Sequence, residues 1–176
     1  MPYVISYKSS FYVQDIQSLC IVMEYADGGD LEGMITSRLN TFGYNGFDEQ
    51  IIWKTAHQIL KGLKALHENK IIHRDMKCAN IFFVNGVAKI GDLNISKITD
   101  NGFATTQTGT PYYTSPEIWK GQKYDSKCDI WALGCIIYEM CTLLPPFRAE
   151  DFPGLFAAVT NGKYDEIHKK YTKNLR

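Results

Sequence analysis

Two short apolar runs, Ile81-Phe82-Phe83-Val84 and Val87-Ala88-Lys89-Ile90, flank the dipeptide Asn85-Gly86. Asn-Gly between such runs is the strongest short-range signal for a two-residue hairpin, because both turn residues tolerate positive φ. The turn fixes the pairing: Val84 faces Val87, Ile81 faces Ile90, and one step further Asn80 faces Gly91. Asp92 is then diagonal to Asn80 at the open end, roughly 5–8 Å away on ordinary cross-strand distances. A carboxamide oxygen and a carboxylate converging there are hard oxygen ligands of the kind Mg²⁺ takes beside phosphate. Just upstream lies His73-Arg74-Asp75-Met76-Lys77-Cys78-Ala79-Asn80. On that connecting loop Asp75 can accept a proton, and Lys77 can neutralise a transferring phosphoryl group. An Asp near a Lys is usually a surface pair, but the whole ordered set has few accidental counterparts.

The rest of the chain supplies strands first and helices afterwards. Residues 3–13 and 19–25 are β-branched and aromatic runs that read as a hairpin. Gly28-Gly29 breaks the chain, and Asp30 can cap a short helix with Leu31, Met34, Ile35 and Leu39 on one face. After a Gly/Asn loop, Asp48 caps an amphipathic helix carrying Ile52, Thr55, Ile59, Leu63 and Leu66. Ile71-Ile72 begins a short apolar segment. Residues 93–114 show no sustained period and read as a long loop, and such loops are usually functional or disordered. A second long helix spans about residues 125–143, apolar on most sides and therefore buried. Residues 152–160 form one more short helix. The order predicts an α+β fold.

Charge and cysteine content exclude several classes. The 176 residues carry 19 Lys+Arg against 19 Asp+Glu. That balance argues against a basic nucleic-acid binder and a polybasic membrane-surface protein. The basic run from His168 to Arg176 reads as a solvated end. Five cysteines with no C-x-x-C pair indicate neither a zinc site nor a disulfide framework. Reduced thiols suit a cytoplasmic protein. The longest apolar stretch, residues 130–147, contains Glu139 and ends in Pro145-Pro146, which favours a buried helix over a membrane span.

At this point the chain resembles a eukaryotic protein kinase domain. His73-Arg74-Asp75 with Asn80 is similar to the catalytic loop, Asp92 to the metal-binding Asp of the D-F-G motif, and Ser115-Pro116-Glu117 to the A-P-E motif. Asp129 resembles the buried Asp of the central helix that anchors the catalytic loop. Lys77 suggests the Ser/Thr-specific branch. Met23-Glu24-Tyr25-Ala26-Asp27-Gly28-Gly29-Asp30-Leu31, Gly109-Thr110-Pro111-Tyr112-Tyr113 and residues 129–135 are most similar to the NIMA-related (NEK) kinases.

The resemblance implies a kinase-like fold. Residues 1–25 would be the last two strands of the amino-terminal lobe and the hinge, and residues 26–176 the helical carboxy-terminal lobe. It implies ATP and Mg²⁺ as cofactors, with Asp75, Lys77, Asn80 and Thr110 catalytic and Asn80 and Asp92 holding the metal. The hinge at Glu24–Ala26 would read adenine, with Met23 as gatekeeper, Asp30 near the ribose and Phe82 under the base. Thr106 is the implied phosphorylation site, where phosphate would pair with Arg74. The implied partner is a protein with a Ser or Thr acceptor, with no nucleic acid and no membrane. The implied location is the cytoplasm, with cytoskeletal or nuclear association by family analogy.

The sequence also departs from the pattern. D-F-G is Asp92-Leu93-Asn94; Leu keeps an apolar packing role, and Asn is the non-Gly residue that best tolerates positive φ. No G-x-G-x-x-G occurs, and no V-A-I-K lies upstream of the catalytic loop. Val87-Ala88-Lys89 is excluded from that role by its place in the chain. No Arg is evident as the partner of a buried Glu117. These features lead to the expectation of a kinase domain truncated at both ends. Its alternative is a pseudokinase or inactive fragment acting as an interaction module.

Overall fold

A computed structural model of the chain describes residues 1–93, 96–98 and 111–176. Strands β1 (Tyr7–Val13) and β2 (Ser18–Met23) form an antiparallel hairpin. Helices α1 (Leu31–Phe42) and α2 (Glu49–Glu68) follow. Then come β3 (Ile71–Ile72), a 3₁₀ turn at Cys78–Asn80, β4 (Ile81–Val84), β5 (Val87–Ile90) and β6 (Lys97–Ile98). A second 3₁₀ turn at Pro111–Tyr113 leads into α3 (Pro116–Trp119), α4 (Lys127–Thr142) and α5 (Phe152–Asn161). This is the α+β arrangement that the order of sequence patterns predicts.

The β4–β5 hairpin has the register set by its turn, with Ile81 opposite Ile90 and Val84 opposite Val87. Asn85 and Gly86 both adopt positive φ, 49° and 73°. Gly91 N–H donates to the Asn80 carbonyl at 2.9 Å, extending the pairing to the residues that matter for chemistry. The hairpin packs on α2, where Gln58 Oε1 accepts from the Ala88 N–H at 2.9 Å.

Helix α2 buries Ile52, Thr55, Ile59, Leu63 and Leu66, the stripe expected from its three- and four-residue spacing. Asp48 occupies its N-cap, but the side chain makes no capping bond; the Asp48 carbonyl takes the Ile51 and Ile52 N–H groups. Asp30 does cap α1, its Oδ1 accepting from Gly33 N–H at 2.7 Å. Helix α4 crosses the core with Ala132, Leu133, Ile136, Met140 and its two acidic residues buried. Ile59, Leu63, Met76, Ile81, Ile90 and Ile136 form the packed centre. Among the described residues, no helix is long and apolar enough to cross a membrane.

Three expectations are corrected. Residues 3–5 do not extend the first strand: Val4 bridges Ile90 in parallel, Ile5 N–H donates to the Ile90 carbonyl, and Ile90 N–H donates to the Tyr3 carbonyl. Their backbone groups are taken by β5, so the hairpin strand starts later. The region after Leu93 is not all loop, since β6 pairs antiparallel with β3. The basic end is not simply solvated. Lys170 Nζ donates to the Gly46 carbonyl at 3.0 Å, Tyr171 OH donates to the Phe47 carbonyl at 2.8 Å, and Tyr171 and Leu175 are buried. The aromatic and Leu side chains between the cations supply apolar area that outweighs their solvation.

Ile136 is fully buried at the centre of α4. Truncating it removes packed methyl groups and leaves a cavity, so Ile136→Ala is expected to cost about 2–5 kcal/mol. The shift of the urea midpoint at unchanged slope measures it.

Candidate active site

The site is built where the segment 73–80 passes beneath the open end of the hairpin. Asp129, in the first turn of α4 and 1% exposed, organises its start. Oδ2 accepts from the His73 N–H at 3.0 Å and from His67 Nε2 at 2.7 Å, and Oδ1 accepts from the Arg74 N–H at 2.9 Å. Arg74 has φ 70°, a left-handed conformation that a non-Gly residue keeps only when its surroundings enforce it. The two N–H groups held on one carboxylate do so. His73 Nε2–H donates to the Gly91 carbonyl at 2.9 Å, while Nδ1 accepts from Asp75 N–H at 3.3 Å. These two bonds fix its tautomer and join the loop to the strand end that carries Asp92.

Asp75, Lys77 and Asn80 converge. Lys77 Nζ lies 2.8 Å from Asp75 Oδ2. Asn80 Nδ2 donates to the Asp75 carbonyl at 2.8 Å and to Asp75 Oδ2 at 3.3 Å. Both contacts of Asn80 use its nitrogen, so the amide is oriented with its oxygen turned away from Asp75. That oxygen is the atom type a Mg²⁺ site needs, and Asn80 is held by backbone as well as side chain. Asp92 is exposed, with φ 56°. Among the described residues no group of three or more His, Cys, Asp or Glu forms a metal cluster. Any Mg²⁺ held by one carboxamide and one carboxylate therefore fills its shell from phosphate and water, as this ion commonly does.

The segment that follows β2 lies against the same hairpin. Gly28 N–H donates to the Phe83 carbonyl at 3.0 Å, Phe83 N–H donates to the Gly29 carbonyl at 2.9 Å, and Asp30 forms a bridge with Phe82. A Cβ on Gly28 would meet the Phe83 Cβ at 2.8 Å, so this approach requires glycine. Phe82 is half-buried, its ring close enough that a Cβ on Gly91 would stand 2.6 Å from Cε2. Glu24 and Ala26 are half-buried, whereas Met23 is 53% exposed.

Lys89, set aside by its position in the chain, has its own partner. Its Nζ donates to Glu24 Oε1 at 2.5 Å, and Glu24 Oε2 also accepts from Ser6 N–H at 3.2 Å. The Lys89 hydrogen bond, then the Ser6 N–H, holds the Glu24 carboxyl below its ordinary range.

Two expectations fail. Leu93 is 40% exposed, so it does not take the packing role of Phe; the left-handed turn at Asp92 leaves it at the surface. Glu117 is half-buried rather than buried, with no ion pair among the described residues. Thr106, Thr110 and Asn94 lie outside the described residues. Two contact residues escaped sequence reasoning: His67, a further partner of Asp129, and Glu139, a buried carboxylate of α4 that Cys78 and Tyr113 meet. An acidic residue inside an otherwise apolar helix is the signal that could have marked Glu139.

A protein kinase domain model matches residues 1–174. The chain is 39% identical over 177 residues to a probable serine/threonine-protein kinase nek2 of Dictyostelium discoideum, covering 98% of this chain and 42% of that protein. It is 41% identical over 179 residues to serine/threonine-protein kinase Nek5 of Mus musculus, covering 99% of this chain and 28% of that protein. To Nek11 of Homo sapiens it is 37% identical over 178 residues, covering 99% of this chain and 27% of that protein. The chain belongs to the protein kinase family. Its likeness within that family is to NEK serine/threonine kinases, and it spans less than half the length of these relatives.

Asp129→Ala leaves the buried His73 N–H and the part-buried Arg74 N–H without their acceptor. An expected loss of about 2–5 kcal/mol follows from stranding them. Chemical denaturation monitored by Trp fluorescence reads the change.

Proposed function

We propose that this chain carries the phosphoryl-transfer site of a protein serine/threonine kinase, moving the γ-phosphoryl group of ATP to a Ser or Thr hydroxyl of a protein. The convergence of Lys77 and Asn80 on Asp75 is the observation that carries the reading. Asp75 orients the acceptor hydroxyl and takes its proton as the oxygen–phosphorus bond forms and ADP departs. Lys77, held 2.8 Å from that carboxylate, offsets charge on the phosphoryl oxygens. Asn80 and Asp92 would hold Mg²⁺, which supplies charge neutralisation on the phosphates.

Nucleotide binding is assigned to the hinge. Ala26 and the backbone of Glu24 would read adenine with Met23 as gatekeeper, Asp30 would serve the ribose and Phe82 would pack under the base. The close pairing of residues 28–30 with β4 supports this, because it sets the hinge beside the strand that leads from Asn80. The Glu24–Lys89 contact ties the hinge to β5, which runs into Asp92. All five cysteines are free thiols, which suits a reducing compartment.

The test is phosphate transfer from radiolabelled ATP by the full-length protein and its Asp75→Asn variant. General-base loss is expected to lower kcat about 10²–10⁴-fold with little change in melting temperature. Transfer by Asp75→Asn at the wild-type rate would sink the assignment.

A further inference from the structure

Thr172 is exposed, yet both of its hydrogen-bond donors are spent on one carboxylate. Its hydroxyl donates to Glu49 Oε1 at 2.5 Å, and its N–H donates to Glu49 Oε2 at 2.8 Å. Glu49 stands in the first turn of α2, and Trp53 Nε1 also donates to its Oε1, at 3.1 Å. Among the described residues no Lys or Arg is ion-paired with Glu49. The Thr172 hydroxyl, then the Thr172 N–H, holds the Glu49 carboxyl below its ordinary range, so it is charged at neutral pH.

This contact fastens a strap. Just before it, Lys170 Nζ donates to the Gly46 carbonyl at 3.0 Å, and Tyr171 OH donates to the Phe47 and Cys141 carbonyls at 2.8 and 3.2 Å. Just after it, Leu175 N–H donates to the Thr172 carbonyl at 3.1 Å. Tyr171 and Leu175 are both buried in the main core. Residues 170–175 thereby join the loop between α1 and α2 to the end of α4. The approach is close: a Cβ on Gly46 would stand 1.9 Å from the Cys141 carbonyl oxygen and 2.6 Å from the Tyr171 hydroxyl. Residues 163–168, which lead into the strap, form no helix or strand, and Lys169 and Lys173 are exposed on either side of Thr172. A segment held by a few contacts of this kind opens locally at far less cost than the whole domain unfolds.

We propose that Thr172 is a phosphoacceptor for a protein kinase that selects basic residues, and that phosphate there releases residues 168–175 from α2 and from the loop between α1 and α2. Lys169 and Lys170 precede the acceptor and Lys173 follows it, a charge pattern that an acidic substrate cleft selects. When the strap opens, the freed Thr172 hydroxyl oxygen attacks the γ-phosphorus of ATP held by that second kinase. The new oxygen–phosphorus bond replaces the bond to ADP, which departs, and the hydroxyl proton passes to the second kinase's base. Redocking is then opposed twice. A hydroxyl donor has become a group of charge about −1.5 to −2 that must face the Glu49 carboxylate. The same phosphate competes for the Lys170 ammonium, which otherwise holds Asn45 and Gly46. Modification thus makes a transient opening the populated state. None of this requires phosphoryl transfer by the chain itself.

Two measurements on the full-length protein test this. First, the protein is incubated with ATP and the catalytic subunit of cAMP-dependent protein kinase, and peptide mass spectrometry locates the phosphate. Phosphate on Thr172 is expected, and its absence there overturns the acceptor assignment. Second, phosphothreonine is placed at position 172 by amber suppression, and amide hydrogen exchange is followed over residues 43–49 and 168–175. Exchange in both stretches is expected to rise about tenfold, with residues 81–90 unchanged. Thr172→Val removes the hydroxyl without adding charge, and Glu49→Gln removes the opposing charge. The rise in Thr172→Val, and the rise that phosphate causes in Glu49→Gln, are each expected to stay below about threefold. Unchanged exchange in the phosphorylated protein overturns the release. A tenfold rise in Thr172→Val shows a lost structural contact and overturns release by charge, as does a full phosphate effect in Glu49→Gln. If Glu49→Gln fails to fold, the Thr172→Val comparison carries the same decision.

Discussion

The site depends on one buried carboxylate at the start of α4. Asp129 gathers the His67 imidazole and the successive N–H groups of His73 and Arg74. It thereby converts a sharp, left-handed turn at Arg74 into a fixed point. A buried carboxylate is tolerable there because several donors converge on it, and hydrogen bonds to a charged acceptor are stronger than neutral ones. Everything downstream takes its position from that point. His73 reaches across to the Gly91 carbonyl, and Asp75 follows two residues on. The hairpin then returns the chain to Gly91 opposite Asn80. Helix α4, packed on α2 through the apolar core, transmits its rigidity to a loop with little regular structure of its own.

Much of this was legible because it is local. The Asn85-Gly86 turn dictates its own register, and register determines that Asn80 and Gly91 face each other. The period of Ile52, Ile59, Leu63 and Leu66 marks the buried face of α2 without any knowledge of what covers it. Asp75, Lys77 and Asn80 sit within six residues of one another, so their proximity needed little tertiary information.

What the sequence concealed is non-local. Strands β3 and β6 are two residues each and pair across a long stretch of chain, too short to show alternation. Tyr3 to Ile5 look like a continuation of a strand but spend their backbone bonds on β5. The end of the chain reads as charged, yet Tyr171 and Leu175 are buried and Thr172 N–H donates to Glu49 Oε2 at 2.8 Å. Charge density describes side-chain tips; docking here is decided by the apolar residues between them and by backbone carbonyls at Gly46 and Phe47. Lys89 shows the reverse case. Its position in the chain excluded it from the phosphate-binding role, but nothing local announced Glu24 as its partner.

The two acidic residues of α4 hold the segment 73–78 by different chemistry, and the difference has consequences. Two of the partners of Asp129 are backbone N–H groups, which substitution at positions 73 and 74 leaves in place. Glu139 is met by a hydroxyl and a thiol, both side-chain groups, so its bonds exist only while residue 113 is a donor and residue 78 can reach it. A backbone grip sets geometry that any sequence in the loop inherits. A side-chain grip can be tuned or removed by one substitution without disturbing the loop's entry. The carboxylate near the start of α4 therefore fixes where the loop begins. The one near its end meets Cys78 and Tyr113 through side chains alone.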